Sequence, residues 1–391
     1  MNRRTFLVTA AAGSALAQRR SEAPANLPDP IKKLKPMLDG VKPITSEERA
    51  ARIEKARRLM HDNKIDALVF EPGTSLYYFT GVRGGTSDWV LPVNGDPQTF
   101  AAMPDPQERI KQMAAFLKDK GGAGKIGVEE RVNFGTYQGL SDQLKADFVS
   151  ADPITVGCRV IKSPAELALL QRANDITIEV YKAAFQCLHE GITQGEMSAL
   201  IAAAYRQTGV QGNAMVSFGK YTAFPHGSIQ PQQLREGDFV LIDDGCSVEG
   251  YQSDITRTAI FGKPTPRQVQ IWNLERKAQD AALAAAKPGA PCESVDAAAR
   301  KVITDAGFGP GYKVPGLPHR TGHGIGLDGH EWTNFVKGNK TPLRPGMCFS
   351  DEPMIAIYTE FGVRLEDCLH ITEDGARMFT KQSPAIDQPF G

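Results

Sequence analysis

The sequence predicts an α+β chain of two domains, and three observations carry that prediction. Strand-like and helix-like segments alternate over residues 45–157, the pattern of an α/β unit. From residue 158 a second unit begins, with a proline-bearing capping box and long helical segments. Within it a Leu-Arg-x-Gly motif occurs twice, each time followed by acids at matching distances, as expected of two related halves. A chain of 391 residues can bury a core in both domains. A 41% hydrophobic share excludes global disorder, and 45 basic against 45 acidic side chains lacks the basic excess of a nucleic-acid or electrostatic membrane binder.

The elements follow in order. Arg3-Arg4 precedes an apolar run from Phe6 to Leu16, and Ala15-Leu16-Ala17 forms a small-x-small cleavage site. Residues 1–17 therefore read as a twin-arginine signal peptide, too short for a stable membrane span, that sends the chain out of the cytoplasm, to the periplasm. Its removal takes away two arginines and no acid, leaving a mature net charge of −2. Residues 18–44, with Pro24, Pro28, Pro30, Pro36 and Pro43, read as a linker or surface arm without helix or central strand.

Thr45-x-x-Glu48 is a capping box for a helix to about His61, with Ile53, Ala56, Leu59 and Met60 inward and Asn63 ending it. Ile65–Phe70 reads as a strand, Tyr77–Gly81 as a second β/turn pattern, and Trp89–Pro92 as another strand. A helix over 107–118, a strand over 125–128 and a helix over 134–144 complete the first domain. Arg83–Trp89 reads either as a loop closing over an active site or as an ordinary loop with a buried tryptophan. The second domain, 158–391, opens with the capping box Ser163-Pro164-Ala165-Glu166 and a helix towards His189. Thr265-Pro266-Arg267-Gln268 starts another, ended by Lys287-Pro288-Gly289, and a third covers about Glu293–Asp305. The six cysteines form no CxxC pair and read as scattered buried thiols.

The repeat is where the chemistry lies. Leu234-Arg235-Glu236-Gly237 leads to Asp243, Gly250 and Asp254; Leu343-Arg344-Pro345-Gly346 leads to Glu352, Gly362 and Glu366. Asp243 and Asp254 are symmetric about Val248-Glu249, and Glu352 and Glu366 about Thr359, so each pair is expected to face across a hairpin. Facing carboxylates destabilise a sheet and cannot be buried unpaired. Divalent cations supply the missing counter-charge, since carboxylates are hard oxygen ligands. Of the seven histidines, His319, His323 and His330 lie between the hairpins, and His226 lies shortly before the first. The glycines flanking His323 exclude a helical zincin pair and suit close backbone approach, which favours one histidine as a further ligand.

These motifs resemble those of the pita-bread metallopeptidases, in the aminopeptidase P and prolidase branch. The resemblance rests on Asp243-x10-Asp254 with Gly-Tyr-x-Ser-Asp-Ile-Thr-Arg-Thr, on His319-x3-His323-Gly-Ile-Gly-Leu-x-x-His330-Glu331, on Gly346-Met347-x4-Glu352-Pro353, and on Gly362-Val363-Arg364-Leu365-Glu366-Asp367. It spans roughly residues 47–391 and implies a pita-bread catalytic domain behind a smaller creatinase/prolidase-type domain. It further implies two divalent ions, manganese first with cobalt or zinc as alternatives. Their ligands would be Asp243, Asp254, His323, Glu352 and Glu366, with Asp254 and Glu366 bridging. Water between the ions would serve as the hydroxide that attacks the carbonyl before proline. Glu352 would shuttle the proton, His226 and His330 would contact substrate and stabilise the tetrahedral intermediate, and His319 would line the pocket. Arg364 is expected at the substrate or behind the carboxylates, orienting them.

Two departures bear on the pocket: Met354 follows Glu352-Pro353 where the family has glycine, and Asp244 follows Asp243. Metal-free relatives such as creatinase lack these ligands, whereas all five are present here. The resulting expectation is an exported Xaa-Pro aminopeptidase acting on Xaa-Pro peptides, without nucleic acid or stable membrane insertion, and dimeric as relatives often are. The alternatives are an Xaa-Pro dipeptidase, a non-peptidase hydrolase or lyase on the same metals, and a silent binding module.

Overall fold

The computed structural model describes residues 26–122 and 124–390, so the expected signal peptide and the start of the proline-rich arm lie outside the described residues. The rest of the arm departs from expectation. Asp29–Lys32 (α1) forms one helical turn with a proline in its first positions, where a missing N–H costs nothing. Ile31 is fully buried, and Met37 N–H donates to the Thr208 carbonyl at 2.9 Å, so the arm is docked on the second domain.

The helix Ser46–Asn63 (α2) starts where expected, with Glu48 N–H donating to Thr45 Oγ1 at 3.2 Å. The left-handed terminating residue is Lys64, at φ 55°, one beyond the expected Asn63. The sheet of this domain contains β1 (Ala67–Phe70), β2 (Asp88–Pro92), β3 (Gln98–Phe100), β4 (Lys125–Val128) and β5 (Asp147–Ser150), in the order β3-β2-β1-β4-β5. Strands β1, β4 and β5 run parallel, and β2 and β3 are antiparallel additions. All four side chains of β1 are buried, as in a central strand covered on both faces. Ala67 and Val69 pack with helices α4 (Pro106–Asp119) and α5 (Phe134–Gln143). Leu68 and Phe70 belong instead to a core continuous with the second domain, including Leu170, Val180 and Ile242.

Two expectations change here. Tyr77–Gly81 lies in the helix Thr74–Thr80 (α3), ended by Gly81 at φ 78°. Its Tyr-Tyr-Phe run has strand propensity, but Leu76, Tyr77, Tyr78 and Phe79 are all buried, and tertiary packing overrides propensity. Trp89 is buried against Phe70 and Phe79 at centroid separations of 5.9 Å, so it is a core residue and no lid. The expected division at 157/158 falls inside a continuous helix, Asp152–Arg159 (α6).

The second domain has two halves of like construction. Helices Pro164–Phe185 (α7) and Gln194–Thr208 (α8) serve the first; Pro266–Ala285 (α9) and Cys292–Asp305 (α10) serve the second. Both α7 and α9 open with complete capping boxes, from Ser163 with Glu166 and from Thr265 with Gln268. The first half's sheet is β10 (Arg257–Ile260), β7 (Phe239–Asp243) and β6 (Met215–Phe218). The second's is β12 (Glu331–Phe335), β11 (Gly322–Gly324), β13 (Cys348–Asp351), β16 (Asp367–Ile371) and β17 (Ala376–Met378). The Leu-Arg-x-Gly repeat makes the same bonds in both. Leu234 N–H reaches the Ile192 carbonyl and Leu343 N–H that of Ala290, each at 2.9 Å. Gly237 and Gly346, at φ 84° and 86°, each donate at 2.8 Å to the far end of the returning strand, Phe261 and Ile371.

Short hairpins top each half: β8 (Ser247–Val248) with β9 (Tyr251–Gln252), and β14 (Met354–Ile357) with β15 (Phe361–Arg364). The second expected register holds. Asp351 faces Asp367 and Met354 faces Arg364, which sets Glu352 opposite Glu366. The first is off by two residues. Arg257 faces Ile242 and Ser247 faces Gln252, so Asp243 stands opposite Thr256 and Asp254 reaches the centre from one step along. No helix among the described residues is long and apolar enough to cross a membrane, and all six cysteines are free and buried.

Candidate metal centre

The five expected ligands converge between the two halves. Asp243, Asp254 and Glu366 form one set whose ligand atoms lie within 4.8 Å of one another, and His323, Glu352 and Glu366 form a second. Glu366 thus belongs to both, in the position of a bridge. A third set joins Asp254 and His323 to His330, whose ring stands 4.0 Å from that of His323 between centroids.

Local structure fixes each group. His323 sits on β11, where a Cβ on Gly322 would overlap the Ser350 carbonyl, so only glycine admits this approach. Its Nδ1 is 3.1 Å from the Gly324 carbonyl, and its Nε2 lies 3.1 Å from Glu352 Oε1 and 3.6 Å from Asp254 Oδ2. A backbone acceptor for Nδ1–H leaves the Nε2 lone pair facing the carboxylates, the tautomer a metal ligand requires. Ser350 Oγ accepts from His323 N–H at 3.0 Å and donates to Glu352 Oε1 at 3.2 Å.

Arg364 is 3% exposed, which excludes a surface role. Its NH2 pairs with Asp243 Oδ2, its Nε donates to Thr256 Oγ1 at 2.9 Å, and its NH1 donates to the Pro225 carbonyl at 3.1 Å. Of the two roles expected for it, the guanidinium is engaged in orienting the carboxylates and not in facing substrate. Thr256 is the residue that sequence reasoning missed. Its hydroxyl lies 2.7 Å from Asp243 Oδ1 and 2.5 Å from Glu366 Oε2, tying a ligand of one half to a ligand of the other. The signal lies in the Asp254-Ile255-Thr256-Arg257 run, where a hydroxyl stands two residues from the aspartate.

The electrostatics follow from crowding. Burial, then the charge of Asp243, pushes Asp254 up to about 8, and burial with Asp254 beside it pushes Glu366 well above the carboxylate range. Burial would raise Glu352 too, but His323 at hydrogen-bond distance outweighs it and holds that carboxyl low. Burial works against a charged His323, yet Glu352 and Asp254 raise its pKa. Four acids and one imidazole, with Arg364 the cation bonded among them, make a donor set of hard oxygens and nitrogen whose charge balance suits divalent cations.

The other three expected histidines lie around this centre. His226 is exposed on the loop after the short 3₁₀ helix Gly219–Ala223. That loop is held by Gly362 N–H donating to Thr222 Oγ1 at 2.9 Å and by Arg364 on Pro225. His330 is exposed at the mouth of an interdomain cavity of about 460 Å³, which Glu71, Glu129, Arg159 and Trp332 also line. Burial, then His323, lowers its pKa to about 4. His319 is half-buried, with Nδ1 2.7 Å from the Arg320 carbonyl and Nε2 without a partner.

Both departures are engaged within the fold. Met354 is fully buried and packs its Cε over Gly362. Asp244, at φ 107°, accepts Met215 N–H at 3.2 Å, and its carbonyl accepts from the Tyr181 hydroxyl at 3.0 Å.

Comparison with known proteins agrees with this geometry. The model of metallopeptidase family M24 matches residues 168–373, and that of the creatinase/prolidase N-terminal domain matches 52–114. The chain is 30% identical to an Xaa-Pro dipeptidase of Pyrococcus horikoshii over 84% of its own length and 97% of the relative's. It is 31% identical to an Xaa-Pro dipeptidase of Lactobacillus delbrueckii subsp. lactis over 85% and 98%. Among solved structures, the dipeptidase PepE of Mycobacterium ulcerans superimposes with a TM-score of 0.80 at 30% identity, covering 90% of this chain and all of the other. The expected architecture therefore stands: the chain belongs to metallopeptidase family M24, with a creatinase/prolidase N-terminal domain ahead of a pita-bread catalytic domain.

Proposed function

We propose that this chain is a metal-dependent Xaa-Pro dipeptidase that hydrolyses the bond before proline in dipeptides. The observation that carries the reading is the convergence of Asp243, Asp254, His323, Glu352 and Glu366 around Glu366. It occurs in a chain that matches curated Xaa-Pro dipeptidases over nearly their whole length. Those relatives weigh for the dipeptidase over the aminopeptidase that the motifs first suggested. The burial of Met354 and the bond of the Asp244 carboxylate to Met215 N–H weigh against a non-peptidase reaction.

The residues fit a pair of divalent ions, manganese being our assignment: Asp243 on one side, His323 with Glu352 on the other, Asp254 and Glu366 between. Bound there, such ions would polarise the scissile carbonyl and lower the pKa of the attacking water. The chain's own groups do the rest. Arg364 and Thr256 fix the carboxylates before substrate arrives, which limits reorganisation during reaction. Glu352 takes the proton from the attacking water and returns it to the leaving prolyl nitrogen. His226 and His330, both exposed at the mouth of the centre, donate hydrogen bonds to the oxyanion, and His319 Nε2 offers a further buried polar contact.

Manganese-loaded enzyme should cleave Xaa-Pro dipeptides and act far more slowly on Xaa-Pro-Yaa tripeptides. Tripeptides cleaved as well or better would make it an aminopeptidase, and no cleavage of either would sink both readings. Export is proposed with it, on the strength of Arg3-Arg4 and the apolar run behind them. Cell fractionation of the full-length chain and of its Arg3→Lys, Arg4→Lys variant tests that: the first should be periplasmic and the second retained.

A further inference from the structure

The hairpin that precedes Asp254 has a short ladder, extended by Ser253 N–H donating to the Cys246 carbonyl at 2.9 Å. Its strands β8 and β9 have two residues each and pair only Ser247 with Gln252 and Val248 with Tyr251. A two-stranded ribbon of that length has little stability of its own in water. Further support reaches it from Glu166 on α7 and, across the boundary, from the other domain. Arg52, on α2 and 5% exposed, donates from NH2 to the Tyr251 hydroxyl at 3.1 Å. The Tyr251 hydroxyl in turn donates to Glu166 Oε1 at 2.8 Å, and Arg52 NH2 lies 3.4 Å from that same oxygen.

We propose that Arg52 is a positioning residue for the metal ligand Asp254, acting across the domain boundary through Tyr251. The inference rests on the reading of Asp254 as a ligand. Tyr251 lies three residues before Asp254, and every other group in the contact is locked. Glu166 is held by the capping box of α7, its Oε2 accepting Ser163 N–H at 2.7 Å. Arg52 is held from behind by the Tyr78 carbonyl at 2.9 Å and Glu48 Oε1 at 3.0 Å, with its guanidinium 4.0 Å from the centroid of the Tyr78 ring. Glu48 is taken up by Arg52 and by the Ser163 hydroxyl, so it does not close the capping box that its spacing from Thr45 suggests.

Two flanking contacts carry the constraint onward. The Tyr77 hydroxyl donates to the Glu249 carbonyl at 3.0 Å, fixing the hairpin tip from the N-terminal domain. Gln252 N–H donates to the Gly326 carbonyl at 2.8 Å, joining the hairpin to the loop that follows His323. A displaced Tyr251 therefore moves the approach to Asp254 and disturbs the strand of a second ligand. The planar fork of arginine serves Tyr251, Tyr78 and Glu48 together, which a lysine ammonium cannot do in the same geometry.

The test titrates metal-stripped, full-length protein with Mn²⁺ by calorimetry and records the thermal melting of the same apo samples. Tyr251→Phe and Arg52→Met should weaken Mn²⁺ binding by about 10–100-fold, the usual cost of losing support for a ligand. Arg52→Lys should recover part of that loss. Thr193→Ala, a helix-cap variant far from the hairpin in sequence, supplies a destabilised control and should bind Mn²⁺ as wild type does. Wild-type Mn²⁺ affinity in Tyr251→Phe and Arg52→Met would overturn the proposal, whatever their melting. So would a loss that Thr193→Ala reproduces. Wild-type protein that binds no Mn²⁺ would overturn it together with the metal reading. Wild-type protein that binds two ions and cleaves no Xaa-Pro peptide would sink only the substrate assignment.

Discussion

The two halves of the catalytic domain solve one problem in different ways. Each must bring two carboxylates to the same centre from a strand pair capped by a hairpin. In the second half the cap, β14–β15, has four paired positions, and the register sets Glu352 opposite Glu366. In the first half the cap has two, Asp243 faces Thr256, and Asp254 arrives from one step along. The second half is therefore held by its own ladder, while the first draws further support from Arg364 and the N-terminal domain. Duplicated sequence need not mean duplicated support.

The comparison can be broken or sharpened by experiment, the strongest test first. Asp243→Asn and Glu366→Gln take one ligand from each half, and both should lower kcat on Xaa-Pro dipeptides by on the order of 10³-fold or more, because the ions supply several kcal/mol of transition-state stabilisation. A mild effect at Asp243 alone would mean that Asp243 contributes orientation and not ligation.

Next is Glu331, which ties the second half to the interdomain helices. Its Oε2 lies 2.8 Å from Lys162 Nζ, and its Oε1 pairs with Arg159. Burial would raise its pKa, but the two cations override this and hold it at about 2, against an ordinary 4.5. A depressed folded pKa stabilises the protein above pH 4.5, and that contribution fades as pH falls towards 2. Glu331→Gln should therefore cost roughly 3 kcal/mol near pH 7, with the gap from wild type narrowing below about pH 4.5. Denaturant melts in EDTA across pH check the size and the slope. A gap that widens on acidification would refute the ion-pair account.

Thr256→Val keeps the shape and removes the hydroxyl shared by Asp243, Glu366 and Arg364. It should weaken Mn²⁺ binding by about 10–100-fold with little change in apo melting, as read by calorimetry. The smallest effect belongs to the helix caps. Thr193→Ala removes the box that α8 has and its counterpart α10 lacks, and should cost about 1 kcal/mol in apo melting.

What the sequence made legible follows from what repeats or punctuates. The capping boxes at Ser163 and Thr265, and the glycines at 237 and 346, were readable because few residue types satisfy those backbone positions. The four acids of the centre were readable because facing carboxylates make no sense without a counter-charge. The second register followed from symmetry about a turn, and the first did not. There, Asp244 at φ 107° and Glu249 at φ 49° bend the chain in ways that spacing does not encode. Thr256 escaped notice because a threonine beside an aspartate reads as an ordinary strand residue until the partner strand is seen. Helix α3 was hidden for a related reason: its aromatic run has strand propensity, and only the packing of Tyr78 and Phe79 decides it.

The core that runs unbroken from Leu68 and Phe70 into Val180 and Ile242 bears on how this chain could be recombined. Domains are ordinarily parted at exposed linkers crossed by few contacts. Here the seam runs through helix α6, where the Cys158 carbonyl accepts from both Lys55 and Tyr78. A chimera joined at that point would expose apolar surface on both pieces, and it would exchange the arginine that anchors Tyr251 for whatever the donor carries. The smallest portable unit is thus larger than either domain: a graft of the catalytic half needs α2 and α3 to come with it.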